Sequence, residues 1–174
     1  MHILRTLCFS SLFFVLLSQA AIFINVSTLA DENGENMASC SLREAITAVN
    51  TLQEFGGCRA GDRNLNNIIQ LKNGTYLLTK GELFVRRELT IQGVYTNINS
   101  KDDSILRIKP KRMPPSLEYG SIIDANFSSR LFNTAASKSN MSLNNVMLVN
   151  GKADIGGAIL AGGQVNLSTS VVSH

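Results

Sequence analysis

Large and reactive side chains are scarce in this chain. Among its 174 residues there is no tryptophan, aromatic residues make up 6%, and only 2 histidines and 3 cysteines occur. A Ser-His-acid triad and a histidine-ligated metal site are therefore not expected. The net charge of +3 is too small to indicate nucleic acid or an anionic membrane as a partner. So few large side chains favour a thin, repetitive core over an ordinary globular interior.

The first residues predict an export signal. Residues 1–20 combine a basic start (MHILR), an apolar run (TLCFSSLFFVLL) and a small-residue cleavage site after Ala20, which is the order found in secretory signal peptides. The alternative, a membrane anchor, needs an apolar run of roughly 20 residues, and this run is shorter. We therefore expect cleavage and export.

Two cysteines, Cys40 and Cys58, follow the predicted leader. An exported chain meets an oxidising compartment, where one disulfide between them is the expected state and two free thiols are the alternative. A straight helix between the two residues would hold them too far apart for a bond. The bond therefore requires residues 53–58 to double back.

The stretch CSLREAITAVN (40–50) predicts one amphipathic helix. Ser41 and Glu44 have the spacing of a capping box, in which the serine hydroxyl accepts from the third helical amide and the carboxylate accepts from the serine amide. Gly56 and Gly57 are expected to end the helix, because glycine tolerates the left-handed turn found there. The predicted apolar stripe consists of Leu42, Ala45, Ile46, Val49 and Leu52.

From Asn66 onward, short apolar or β-branched runs alternate with Gly, Asn, Asp and Ser, a pattern typical of strands and turns. MSLNNVMLVN (141–150) matches VNLSTSVVSH (165–174) at an offset of 24 residues, which aligns Leu143 with Leu167. Such a repeat predicts a coil of a parallel β-solenoid, whose apolar positions only neighbouring coils can bury. Two similar hairpins in a β-sandwich are the alternative. In the solenoid, the helix would cover the open strand edges of the first coil.

One segment interrupts this rhythm. Residues 96–120 contain all 3 prolines of the chain and a basic cluster formed by Lys109, Lys111 and Arg112. We expect a protruding loop there, with one strand over Ser104–Ile108. The basic cluster is a candidate contact for a polyanion such as an acidic polysaccharide, and a solvated loop is the alternative.

The chain also resembles a known family, the CSLREA-type N-terminal domain of exported bacterial right-handed parallel β-helix proteins. The resemblance is carried, in matching order, by CSLREAI with the following AVN, CRAG (58–61), NNIIQLKNGTYLLT (66–79) and ELTIQG (88–93). The run GGAI (156–159) is similar to the repeat of polymorphic outer membrane proteins, a related class of surface β-helices. The aspartate that usually precedes the strand at 68–71 is replaced here by Asn66 and Asn67.

This resemblance implies an all-β fold, a right-handed parallel β-helix (solenoid) with an N-terminal capping α-helix. The leader would occupy 1–20, an N-terminal strand and the capping helix 21–65, and the first coils 66–174. The chain stops within a repeat and without a second cap, so we expect a product truncated at its C-terminus.

Few residues are candidates for chemistry. Gly156 and Gly157 predict a tight turn, since the lysine and the following helix of a phosphate-binding loop are missing. A polysaccharide lyase would need carboxylates for a metal and a basic proton acceptor. The in-coil candidates for that chemistry, each more simply interpreted as a turn or solvated residue, are Asp124, Asp154, Lys152 and Arg130. Asn144, Asn145, Asn150 and Asn166 are interpreted as turn residues or stacked amides.

These observations predict an exported protein, secreted or at the bacterial cell surface (outer membrane), that is adhesin-like or structural and performs no catalysis. No cofactor and no metal are expected. The expected partners are cell-surface glycans or host surface proteins, with no nucleic acid, and a membrane only through a missing C-terminal region. The alternatives are the N-terminal part of a polysaccharide-degrading β-helix enzyme and a truncated product without function.

Overall fold

The computed structural model describes residues 20–97 and 117–173. The predicted leader therefore lies outside the described residues except for Ala20, and so do the expected strand Ser104–Ile108 and His174. Lys109, Lys111 and Arg112 also lie outside them. Within the described ranges, no helix is long and apolar enough to cross a bilayer.

The described residues form short strands and one α-helix, α1 (Leu42–Thr51). The strands are β1 (Ala21–Asn25), β2 (Asn66–Gln70), β3 (Gly74–Leu77), β4 (Leu83–Phe84), β5 (Leu89–Gln92), β6 (Tyr95–Asn97), β7 (Leu117–Tyr119), β8 (Ser121–Asp124), β9 (Phe132–Asn133), β10 (Met141–Asn144), β11 (Met147–Val149), β12 (Ile159–Leu160), β13 (Val165–Ser168) and β14 (Val171–Val172).

Most strands belong to three parallel sheets that the chain visits in a fixed order. The first sheet has the order β1-β2-β5-β10-β13, the second β3-β8-β11-β14, and the third β4-β9-β12. After β2, β5 and β10 the chain passes to the second sheet, then to the third, and returns to the first beside the strand it left. The fold is thus mostly parallel strands in stacked sheets, with one short helix.

The predicted repeat sets the register of the last strands. Leu143 pairs with Leu167 between parallel strands β10 and β13, and Leu148 pairs with Val172 between β11 and β14. The predicted offset of 24 residues is therefore confirmed for both pairs. The alternative of two hairpins in a sandwich is not formed, because these strand pairs are parallel.

Apolar side chains of neighbouring strands stack in ladders that face the interior, aliphatic in the first sheet and with Tyr76 and Phe132 among them in the second and third. In the first sheet, this ladder begins with Ile24, which pairs with Ile69, and continues through Ile91 to Leu143. All four side chains are completely buried. An alternating strand pattern places every second residue inside, so one apolar position per strand suffices to build the ladder.

The segment between β5 and β8 departs from the parallel pattern. Strands β6 and β7 pair antiparallel at the base of an insertion, with Tyr95 opposite Tyr119. The first and last residues of the loop predicted over 96–120 are therefore paired with each other in β6 and β7 rather than irregular. The insertion also lengthens this coil, so that Leu89 pairs with Met141.

The helix ends earlier than predicted. Leu52, not a glycine, adopts the left-handed conformation at its C-terminus, with φ of 58°. The prediction that Gly56 and Gly57 end the helix is therefore wrong, and Leu52 is only partly buried. The rest of the predicted stripe is buried, and the helix packs against β2 and β4.

Candidate functional site at the N-terminal cap

The helix start contains the predicted capping box. The Glu44 amide donates to the Ser41 hydroxyl oxygen at 3.2 Å, and the Ser41 amide donates to the Glu44 carboxylate at 2.9 Å. The second carboxylate oxygen accepts from the Gly34 amide at 2.7 Å. Both Ser41 and Glu44 are completely buried. The Glu44 side chain thus accepts from two backbone N–H groups, and these bonds also join the helix to the loop before it.

A disulfide joins Cys40 to Cys58, with Cα atoms 4.7 Å apart. After the helix the chain doubles back in a tight turn, in which Phe55 and Cys58 exchange two backbone hydrogen bonds of 3.1 Å. This turn removes the geometric obstacle, since it carries Cys58 back beside the helix entrance.

The two glycines after the helix make this close approach possible. Gly56 has φ of +58°, and a side chain there would meet the Glu44 carboxylate at 2.3 Å. A side chain at Gly57 would lie 2.4 Å from the Ser39 carbonyl oxygen, to which the Gly57 amide donates. Their function is therefore close packing beside the capping box rather than termination of the helix.

Arg43 ties the helix to the loop before the third sheet. Its guanidinium group donates to both carboxylate oxygens of Asp31, at 2.7 and 3.1 Å. It also donates to the carbonyls of Gly81 and Glu82, at 2.7 and 3.1 Å. Four donated bonds from one planar group hold the helix against two separate segments of the chain.

Asp31 is the acceptor on which this network converges. Besides Arg43, the backbone amides of Thr79 and Lys80 donate to its carboxylate, at 2.7 and 2.8 Å. Burial by itself raises the pKa of Asp31, but the hydrogen bonds from Arg43 and these amides outweigh burial and hold the pKa below 3.8. The side chain is only 3% exposed. Asp31 is thus a buried anion that joins three segments.

Asn50 covers the open edge of the third sheet. Its side-chain amide donates to the Phe84 carbonyl at 2.7 Å and accepts from the Arg86 amide at 2.8 Å. Strand β4 is an edge strand, so these backbone groups have no strand neighbour on that side. One side-chain amide therefore takes the place of a neighbouring strand there. It is a specific contact through which the helix covers this edge, as predicted.

Asn67 makes two side-chain hydrogen bonds to the backbone of one residue. Its side chain accepts from the Asp62 amide at 2.8 Å and donates to the Asp62 carbonyl at 2.9 Å. The residue is 6% exposed. An aspartate could accept from the amide but could not donate to the carbonyl when ionised. Asparagine is therefore suited to this position by its two-way hydrogen bonding.

Two grooves lie beside the cap (residues 21–65), where it meets the sheets. The first, which we call the arginine groove, has a volume of about 460 Å³, and Arg63, Arg86 and Arg87 lie among its lining residues. The second, the helix groove, has a volume of about 340 Å³ between α1 and β4, where Phe84 contributes an exposed ring. Arg86 lines both grooves.

Of the four candidates for lyase chemistry, two make structural contacts and two are exposed. The Asp124 carboxylate accepts from the Asn126 amide and the Asn150 side chain, at 2.7 and 2.9 Å. Arg130 forms an ion pair of 2.5 Å with Glu82. Lys152 and Asp154 are exposed. No group of three or more His, Cys, Asp or Glu side chains in the described ranges is placed to hold a metal ion.

The predicted turn residues divide between turns and strands, since Asn144 lies in β10 and Asn166 in β13. Gly156 has φ of +62° and permits close approach to Ile159, whereas Gly157 does not have a positive φ. Asn145 and Asn150 also have positive φ values, of 56° each. Asn144 donates to the Gln92 side chain of the preceding coil at 3.3 Å. Asn145 and Asn150 therefore lie in turns and Asn144 is a stacked amide, as interpreted. Asn166 instead lies within strand β13 and accepts from the Gln164 side chain at 2.8 Å.

Sequence reasoning missed the residues that make the cap's long-range contacts. Asp31 lies in a polar loop with no recognisable spacing to Arg43, and only the structure brings the two together. Asn50 belongs to the AVN of the motif, but no spacing shows that it faces a strand edge. The clustering of Arg63 with Arg86 depends on two turns whose paths a sequence pattern does not specify.

No family model, no curated protein and no solved structure matches this chain. The resemblance to CSLREA-type domains stays a prediction carried by its motif residues.

Proposed function

We propose that the chain is an exported protein, secreted or held at the bacterial cell surface, with an adhesin-like or structural role and no catalysis of its own. Its described residues would be the N-terminal cap and first coils of a right-handed parallel β-helix. The repeated passage through three parallel sheets supports the β-helix, and parallel crossovers in one sheet are right-handed in about 98% of cases.

The observation that carries export is the disulfide between Cys40 and Cys58. Both residues are almost completely buried at the helix entrance, so the bond belongs to the cap itself. Such bonds persist in oxidising compartments and are rare in the reducing cytosol. The apolar run of the predicted leader would be the signal that directs the chain to export.

The cap supports a role outside the cell in a second way. A parallel stack offers open strand edges to any other chain, and Asn50 and Arg43 occupy backbone groups at such an edge. A stack protected in this way is suited to present an elongated surface in a compartment without chaperones that consume ATP. Cell-surface glycans and host surface proteins are the proposed partners.

Cell fractionation tests export directly. A bacterial host would express the full chain with a C-terminal epitope tag, and alkylation of free thiols before mass spectrometry would report the state of Cys40 and Cys58. We expect a chain cleaved after Ala20, oxidised and sensitive to protease added to intact cells or present in the medium. The control is Phe14→Arg, which interrupts the apolar run and should leave an uncleaved, reduced chain in the cytosol.

An uncleaved and reduced wild-type chain would overturn the proposal. Binding of the oxidised chain to a glycan array and to host cells tests the adhesin-like role. Weaker binding of a Lys109→Ala, Lys111→Ala and Arg112→Ala variant would assign a contact to the basic cluster. Absence of binding to every glycan and cell type would leave the structural role and contradict adhesion.

A further inference from the structure

The arginine groove and the helix groove adjoin at Arg86, which lines both. Their volumes of about 460 and 340 Å³ exceed what one monosaccharide fills, so the joined surface has room for a short oligosaccharide. The surface lies at the corner between β4 and β5, beside the cap. Its residues are other than those of the polyanion contact predicted from sequence.

Charge in the arginine groove is incompletely neutralised within the protein. Three arginines share the groove with two carboxylates, those of Asp62 and Glu88. Asp62 accepts from the backbone amides of Asn64 and Leu65, at 2.7 and 3.2 Å, and forms no ion pair among the described residues. The excess positive charge of the groove faces solvent.

The arginines also keep most of their hydrogen-bond donors free. The guanidinium groups of Arg63 and Arg86, both exposed, make no hydrogen bond to any residue in the described ranges. Arg87 makes one, from Nε to the Asn50 carbonyl at 3.0 Å. Guanidinium groups bind carboxylates through two parallel N–H donors, and two such groups are available here.

The helix groove adds an aromatic ring beside these cations. Phe84 is 49% exposed, although its strand, β4, pairs with β9 in the third sheet. Its carbonyl is held by Asn50, so the ring is presented from a rigid edge. An exposed aromatic ring offers a flat apolar face, and the apolar face of a pyranose ring fits it.

We propose that the two grooves form one binding site for an acidic oligosaccharide, in which Arg63 and Arg86 bind a sugar carboxylate and Phe84 stacks on an adjacent ring. The proposal rests on the proposed function, because it names the class of glycan that the exported protein would recognise. A neutral glycan would leave the excess charge of the groove uncompensated, whereas a uronic acid compensates it.

Calorimetric titration tests this site with the disulfide-bonded chain. The probe is a hyaluronan tetrasaccharide, which alternates glucuronic acid with N-acetylglucosamine, and the second ligand is the same tetrasaccharide with its carboxyl groups methyl-esterified. We expect the acid to bind at least about tenfold more tightly than the ester, since only the acid accepts charge-assisted hydrogen bonds from the guanidinium groups. Affinity for the acid should fall as salt is raised.

Two variants separate the roles of the residues. Arg63→Gln with Arg86→Gln should weaken the acid by about tenfold and leave the ester unchanged. Phe84→Ala should weaken both ligands by about fivefold. The control is Arg59→Gln with Lys152→Gln, which removes the same charge from exposed positions outside both grooves and should change neither affinity. Circular dichroism melts confirm that each variant is folded.

Equal binding of acid and ester, absence of binding at millimolar ligand, or equal weakening by the Arg59 and Lys152 control would each overturn the inference. These outcomes are distinct from failure of the proposed function. An oxidised and exported chain that ignores the tetrasaccharide would refute the binding site alone, and a reduced cytosolic chain would refute export whatever the grooves bind.

Discussion

The two ends of the first sheet hold the same kind of side chain in different surroundings. Ile24 and Leu167 occupy the same interior ladder, at its first and last strand, yet Ile24 is completely buried and Leu167 is 48% exposed. In the second sheet, Tyr76 is 2% and Val172 47% exposed. At the first strand, α1 contributes Leu42, Ala45, Ile46 and Val49 to the core cluster that includes Ile24.

This contrast shows what buries a residue in a stacked fold. An apolar position in one of these sheets gains contacts from the strand on either side, and the last strand of a sheet lacks one of them. At the amino-terminal end, the missing contacts come from a helix, a disulfide and two polar contacts to strand edges. Stability should therefore be distributed unevenly along the stack, and substitutions at equivalent ladder positions should differ in cost.

The largest difference is expected between Leu143→Ala and Leu167→Ala. Leu143 has ladder neighbours on both sides, so its truncation should lower the free energy of unfolding by about 4 kcal/mol through lost transfer energy and a cavity. Leu167 is half exposed, so its truncation should cost about 1 kcal/mol or less. Urea unfolding followed by circular dichroism measures both. Equal costs would contradict the claim that the two ladder positions differ in stability because they differ in burial.

Removal of the disulfide should have the next largest effect. Replacement of Cys40 and Cys58 by alanine should lower the free energy of unfolding by about 3 kcal/mol, because the bond closes a loop with a sequence separation of 18. Hydrogen exchange should lose protection in α1 and β2 and keep it in β10 and β11. Uniform loss of protection along the chain would show that the cap does not form a separate unit of stability.

Asp31→Asn tests the electrostatic contact between the cap and the third sheet. The neutral side chain accepts fewer and weaker bonds from Arg43 and the two backbone amides, so we expect a loss of about 2 kcal/mol at neutral pH. The exposed Glu35 gives a matched control. Its pKa is lowered to about 2, first of all by the hydrogen bond from Lys80, but solvent screens this pair and Glu35→Gln should leave stability unchanged.

The pH dependence of the same variant has a definite sign. The folded pKa of Asp31 lies below the unfolded value of 3.8, so its contribution to stability is complete above pH 3.8 and is lost as the pH falls through the folded pKa. Asp31→Asn should therefore flatten the stability curve in this acidic range. Thermal melts between pH 2 and 5 measure it, and parallel curves for wild type and variant would contradict the lowered pKa.

The sequence predicts local features of the cap well and long-range contacts poorly. Ser41 and Glu44 are recognisable because their interaction depends only on spacing within one helical turn. The pairing of Leu143 with Leu167 is recognisable because no insertion lies between the two copies. The contact of Arg43 with Asp31 depends on a loop that returns to the helix, and no pattern of residue types specifies that return.

Insertions explain why the earlier coils could not be aligned in the same way. The helix separates β1 from β2, and the β6–β7 insertion separates β5 from β10, so the ladder from Ile24 to Leu143 has no constant offset in sequence. The observed end of the helix differs from the predicted one for another reason. Leu52 adopts a conformation that leucine rarely takes, and the nearby glycines, whose small size suggests termination, serve instead to admit the Glu44 carboxylate and the Ser39 carbonyl.

The smallest effect is expected from Asn50→Ala, which uncovers the edge of β4. The variant leaves the Phe84 carbonyl and the Arg86 amide without their side-chain partner, and because this edge is partly exposed, water can replace the lost bonds, so we expect a cost of about 1 kcal/mol. Asn50→Asp should cost at least as much, since a carboxylate cannot donate to the Phe84 carbonyl and repels it. The exposed Asn64→Ala is the control and should be neutral. If Asn50→Ala and Asn64→Ala unfold at the same urea concentration, the amide does not replace a strand at this edge, and the cap covers the stack through its apolar stripe and Arg43 alone.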